Sequence, residues 1–155
     1  MTRPLAVAAL VVALGACDTT APEGTYDAQV TGAVTADLSG TASIRETLGL
    51  FLSFPPGGIR TNGLGSPAVA TYAVAPREES GATTPGTVEI LYEYVRPGTA
   101  AAETFAGSSG ELVVTSVDDE SVAGRFSFEA TSLTDASRTV TVRGTFDARR
   151  QGELD

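Results

Sequence analysis

Residues 122–131, Val122-Ala123-Gly124-Arg125-Phe126-Ser127-Phe128-Glu129-Ala130-Thr131, decide the fold class. Val122, Phe126, Phe128 and Ala130 fall on one side of an extended chain, and Arg125, Ser127, Glu129 and Thr131 on the other. Successive side chains of a strand point to opposite faces, whereas a helix would scatter the same apolar residues around its circumference. The stretch therefore reads as a sheet strand with one wet face. The next stretch repeats the pattern: Val140, Val142 and Phe146 alternate with Thr139, Thr141, Arg143 and Asp147.

The same period runs through the rest of the chain. Near the front, Tyr26, Ala28, Val30, Gly32, Val34 and Leu38 share a face opposite Thr25, Asp27, Gln29, Thr31, Thr35 and Asp37. Val88, Ile90, Tyr92 and Tyr94 line up in 88–95, and further strands are expected over Ala68–Ala75 and Glu111–Val117. Leu48–Phe54 is a nearly continuous apolar run, read as a strand buried on both faces or a covering segment. Gly- and Pro-rich stretches at Pro55–Pro67 and Pro76–Gly86 are longer than hairpin turns and read as loops. No segment carries a helical period of useful length. The expectation is an all-β fold, an antiparallel sandwich or barrel of about eight or nine strands, in one domain over 25–150 with a polar tail at 151–155.

An internal echo accompanies this rhythm. Gly24-Thr25-Tyr26-Asp27-Ala28 matches Gly144-Thr145-Phe146-Asp147-Ala148, and Gly124-Arg125-Phe126 is a partial third copy. The spacing is not that of a solenoid. It suggests that the first and last strands lie side by side, with Tyr26 near Phe146.

The amino terminus reads differently. Arg3 precedes an apolar stretch from Leu5 to Leu14, and Leu14-Gly15-Ala16-Cys17 follows. A bilayer crossing needs about 20 apolar residues, so this stretch is too short to span and reads as a signal-peptide core over 1–16. The four residues resemble the lipobox of bacterial lipoproteins, in which a Leu and two small residues precede the cysteine that is acylated. Cys17 is the only cysteine in the chain, and an exported protein gains little from a lone free thiol. The resemblance implies cleavage after Ala16 and a diacylglycerol on Cys17. It also implies an anchor in membrane lipid, with residues 17–24 as a short tether. The expected address is the bacterial cell envelope, with inner and outer membrane left open.

A second resemblance covers about 40 residues. Gly110-Glu111-Leu112-Val113-Val114-Thr115, Asp118-Asp119, Gly124 to Ala130, Arg138 to Val142 and Gly144-Thr145-Phe146 are similar to a group of uncharacterised all-β bacterial lipoproteins. It implies a fold and an address, not an activity.

Composition narrows the chemistry. All ten basic residues are Arg, set against nineteen carboxylates, and the net charge is −9. Phosphate backbones need clustered cations, so nucleic acid is not an expected partner. With no His, no Lys and one cysteine committed to lipid, the chain lacks the parts for a Ser-His-Asp or Cys-His site, a His-bearing zinc site, a P-loop or a Schiff base. Carboxylate pairs survive that exclusion. Glu89 and Glu93, however, stand four residues apart on one strand face, about 13 Å between Cα atoms, and read as solvated side chains. Asp118, Asp119 and Glu120 are the only calcium candidate, and their spacing fits a turn between strands better. Tyr72, Tyr92 and Tyr94 are candidates for contact with a ligand or partner, weighed against a place in the core. Gly57, Gly58, Gly63 and Gly65 resemble a phosphate loop by glycine count alone. No cofactor and no catalysis are expected. The reading is a non-catalytic binding or scaffolding module, with a carrier holding a small molecule inside a barrel as the alternative.

Overall fold

In the computed structural model, the residues described are 23–45, 49–53, 57–64, 66–76 and 86–151 of the 155. The signal segment, the lipobox residues Leu14, Gly15 and Ala16, Cys17, most of the tether, residues 77–85 and the tail beyond Gln151 lie outside them.

Nine strands form among the described residues: β1 Gly24–Gly32, β2 Ala36–Arg45, β3 Gly49–Ser53, β4 Gly57–Asn62, β5 Ala70–Val74, β6 Thr87–Val95, β7 Ala102–Val117, β8 Ser121–Ser132 and β9 Thr139–Arg150. They make one sheet with neighbours in the order β1-β2-β3-β4-β6-β5-β7-β8-β9, and β9 pairs in turn with β1. Tyr26 and Phe146 are register partners in that last pairing, as the echo suggested.

The expectation of a purely antiparallel sheet is corrected: β5 pairs parallel to β6, and β2 parallel to β9. Both exceptions follow from the ladders beside them. β2 and β9 each run antiparallel to β1, so they are parallel to one another, and they meet at Ser43–Arg149 and Ile44–Arg150 just past the point where β1 begins. β5 likewise wedges between β6 and β7, which pair directly with each other at Ala102–Ala106 beyond its reach. A parallel neighbour needs a long crossover. Twelve residues, 75–86, separate β5 from β6 in the sequence, and 77–85 of them lie outside the described residues.

Two further expectations shift. Pro55–Pro67 is not all loop, since Gly57–Asn62 forms β4 and buries Ile59 and Thr61 at alternate positions. The β-branched pair wins over the glycines because it packs into the core, while the glycines occupy the strand start. Glu89 is not solvated: it is 6% exposed, beside its register partner Asn62, whose Nδ2 lies 3.5 Å from a carboxylate oxygen. Glu93 on the same face is half-buried.

The apolar faces form one core. Tyr26, Ala28 and Val30 of β1 alternate with exposed neighbours, and Phe126, Phe128 and Ala130 of β8 and Val140, Val142 and Phe146 of β9 alternate with exposed or half-buried ones. Tyr92 stacks on Phe105 with ring centres 5.8 Å apart, and Phe126 stacks on Phe146 at 6.4 Å. Such offset contacts add to the area that the rings bury.

The Gly-x-aromatic echo has a packing basis. Phe146 lies opposite Gly124, and Phe126 lies opposite Gly144. A Cβ on Gly124 would come within 2.8 Å of the Phe146 ring, and one on Gly144 within 2.7 Å of the Phe126 ring. Each ring covers the backbone of the facing glycine, a device that lets a sheet curl tightly.

Candidate functional site

A groove of about 440 Å³ opens on the wet face of β2, β1 and β9. Its lining follows from period two. Asp27 and Gln29 of β1 point out because Tyr26, Ala28 and Val30 point in, and the antiparallel registers place partners on both sides. Gln29 lies between Asp37 and Arg143, and Asp27 between Ser39 and Thr145. Between these two polar rows, Leu38 and Ala28 turn their side chains into the core and Gly144 has none. The backbone of that middle row is the groove floor.

The three tyrosines do not converge. Tyr92 is fully buried against Phe105, while Tyr94 and Tyr72 are partly buried against the core. Ala73 pairs with Thr87, which sets Tyr72 alongside Gly86, six residues of β6 and about 20 Å from Tyr92. The Tyr72 hydroxyl accepts the Ala68 N–H at 2.9 Å and donates to the Ala68 carbonyl at 3.2 Å, closing its own loop. Burial pushes the Tyr92 hydroxyl up to about 12, with Tyr94 adding to the effect. Tyr26 is raised further, by burial first and then by the charges of Tyr92 and Asp27. Both are neutral phenols at any physiological pH and belong to the core.

The acidic run 118–120 makes the turn between β7 and β8. Asp118 Oδ1 accepts the backbone N–H groups of Glu120 at 2.8 Å and Ser121 at 2.7 Å, and Oδ2 accepts the Ser121 hydroxyl at 3.1 Å. Those donors favour the ionised form and hold its carboxyl below the usual range. Glu120 pairs with Arg149 at 3.0 Å. Among the described residues, no group of three His, Cys, Asp or Glu could hold a metal. The turn uses the oxygens that a cation would need.

At the opposite end, Arg138 grips Glu103 with two hydrogen bonds, Nε to Oε1 at 2.9 Å and Nη2 to Oε2 at 3.0 Å. This bidentate pair ties the β8–β9 connection to β7.

The groove residues Asp37, Gln29 and Arg143 escaped sequence reasoning as a group. Asp27, Gln29 and Asp37 were visible as the wet side of the first strands, but only the β1–β9 register brings Arg143 beside them.

No protein family, no curated protein and no solved structure matches this chain. No helix of the described residues is long and apolar enough to cross a membrane.

Proposed function

We propose that the chain is an exported bacterial lipoprotein, held in the cell envelope through acylated Cys17, whose all-β domain is a non-catalytic binding or scaffolding module. The carrying observation is Leu14-Gly15-Ala16-Cys17 directly after an apolar stretch too short to span a bilayer, with Cys17 the sole cysteine. The lack of His and Lys supports the non-catalytic part. We read the sheet as a barrel rather than a sandwich. The support is the pairing of β1 with β9, which joins the two ends of the strand order.

The carrier alternative needs apolar space inside that barrel. Tyr26, Tyr92, Phe105, Phe128 and Leu112 are fully buried in a single cluster, which favours a filled interior and recognition on the outer face.

The test is expression of the full chain in a bacterial host with labelled fatty acid, followed by mass analysis of the mature N-terminus. Label on Cys17, lost in Cys17→Ala, is the expected result. An unlabelled protein released from the membrane fraction would sink the reading.

A further inference from the structure

We propose that the groove across β2, β1 and β9 binds the zwitterionic headgroup of a phospholipid of the phosphoethanolamine type, with the phosphate at Arg143 and the ammonium at Asp37 and Asp27. The membrane source of this ligand rests on the lipoprotein reading above; its charge pattern does not.

The groove is polarised along its length. Arg143 on β9 and Asp37 on β2 flank Gln29 on β1, so the opposite charges stand two strand spacings apart, about 10 Å between Cα atoms. The uncharged Gln29 stands on the strand between them. Asp27 adds a second carboxylate on the neighbouring row. Among the described residues, the ion pairs join Glu103 to Arg138 and Glu120 to Arg149, and none involves the groove. A guanidinium on β9, a carboxylate on β2 and a second carboxylate on the middle strand complement a ligand with an anion and a cation on a short linker. Arg binds phosphate oxygens through paired N–H donors, and Asp accepts from an ammonium. The volume, about 440 Å³, falls in the ordinary range for small-molecule sites.

Charge and chain length select the source. The chain carries a net −9, which opposes an anionic lipid surface and leaves a net-neutral headgroup as the compatible one. Six residues separate Cys17 from the start of β1, an extended reach of about 20 Å, and Asp27 is three residues into that strand. A domain anchored at Cys17 therefore holds this groove within reach of the bilayer surface.

The experiment is calorimetric titration of soluble glycerophosphoethanolamine, whose phosphodiester matches the lipid headgroup, into the purified full chain, both acylated and carrying Cys17→Ala. Inorganic phosphate, ethanolamine and glycine serve as comparators. Saturable binding is expected, weakened about tenfold by Arg143→Gln and by Asp37→Asn, and unchanged by Arg125→Gln on β8 outside the groove. These side chains are exposed, so the variants keep the fold, which an unchanged melting temperature verifies. Absence of binding, or binding indifferent to Arg143→Gln, would overturn the proposal. Phosphate alone binding as tightly would make this a plain anion site, and glycine binding as tightly would make the ligand an amino acid; either overturns the headgroup. Fatty-acid labelling without binding refutes the groove alone. Binding without labelling refutes the anchor and leaves the zwitterion chemistry standing.

Discussion

Gly144→Ala should destabilise the domain by about 2 kcal/mol. The added Cβ would collide with the Asp27 carbonyl oxygen and lie 2.7 Å from both the Ala28 Cβ and the Phe126 Cζ. Ordinary carbon contacts are about 3.5–4.0 Å, so the neighbours must give by about 1 Å. Two of the three obstacles belong to the β1 main chain and its first side-chain atom, fixed by a ladder running from Thr25–Asp147 to Gly32–Val140. The Phe126 ring can turn aside only by leaving its stack on Phe146. Overpacking of this kind costs about 1–3 kcal/mol, and the loss of unfolded-state freedom on replacing glycine offsets about 0.4–1 kcal/mol. The net should appear as a drop of about 8 °C in melting temperature, or as a matching shift in urea midpoint with unchanged slope. Gly144→Ala combined with Phe126→Leu should recover only part of the loss, because the Asp27 carbonyl remains in the way. A single variant within about 0.5 kcal/mol of the parent would refute the close approach of β1 and β9. It would also remove the floor from the groove.

Phe128→Ala, at a fully buried position on β8, should cost about 3–5 kcal/mol in urea unfolding, with a neutral result excluding Phe128 from the core. In the folded state Tyr26 and Tyr92 hold their protons more tightly than an exposed phenol does. The stability they confer is full below about pH 10 and falls as the pH rises past it. A tyrosinate absorbance titration should find Tyr26 and Tyr92 delayed until unfolding, and Tyr92→Phe should flatten the alkaline limb. Glu103 has the opposite sign: its hydrogen bonds with Arg138, helped by Ser132 and opposed by partial burial, hold its carboxyl below the usual value. That contribution is present above about pH 4.3 and lost as the pH falls through the folded-state value, so Glu103→Gln should give a shallower acid limb in the urea midpoint. Equal acid limbs in both proteins would remove the pair from the stability argument.

The strands legible in the sequence were those whose two faces differ sharply. β8 and β9 alternate phenylalanine and valine with arginine, glutamate and threonine, and the structure keeps that alternation. β4 was hidden because its apolar signal is only Ile59, with Thr61 as a buried hydroxyl, behind Gly57 and Gly58. The first half of β7 was hidden for a related reason. Ala102 to Gly110 is mostly small or polar, and it is a strand because β6 and β8 pair with it on either side. Glu89 shows the limit of reading one face as wet, since burial there is decided by its neighbour Asn62 and not by β6 itself. The groove was illegible for a third reason. Arg143 lies more than a hundred residues from Asp27 and Asp37, and only a strand register sets them side by side.

That register also bears on where recognition can occur. In a sheet whose apolar side holds Tyr26, Tyr92, Phe105, Phe126, Phe128 and Phe146, a ligand inside would have to displace rings that stack on one another. The connecting turns around Asp118 and Asp135 spend their carboxylates on their own backbone amides. Glu103, Glu120, Arg138 and Arg149 spend their charges on each other. The β2-β1-β9 face sets Arg143 and the carboxylates of Asp27 and Asp37 around a concave surface, and β1 is the first strand of the sheet. The close approach of Asp27 and Gly144 that makes glycine necessary there is on the core side of the sheet, with the groove on the other. Packing and binding therefore separate at this position: a side chain at 144 would point at the Phe126 ring on the core side, so Gly144→Ala, like Phe128→Ala, should weaken the fold and leave glycerophosphoethanolamine binding by the folded fraction unchanged.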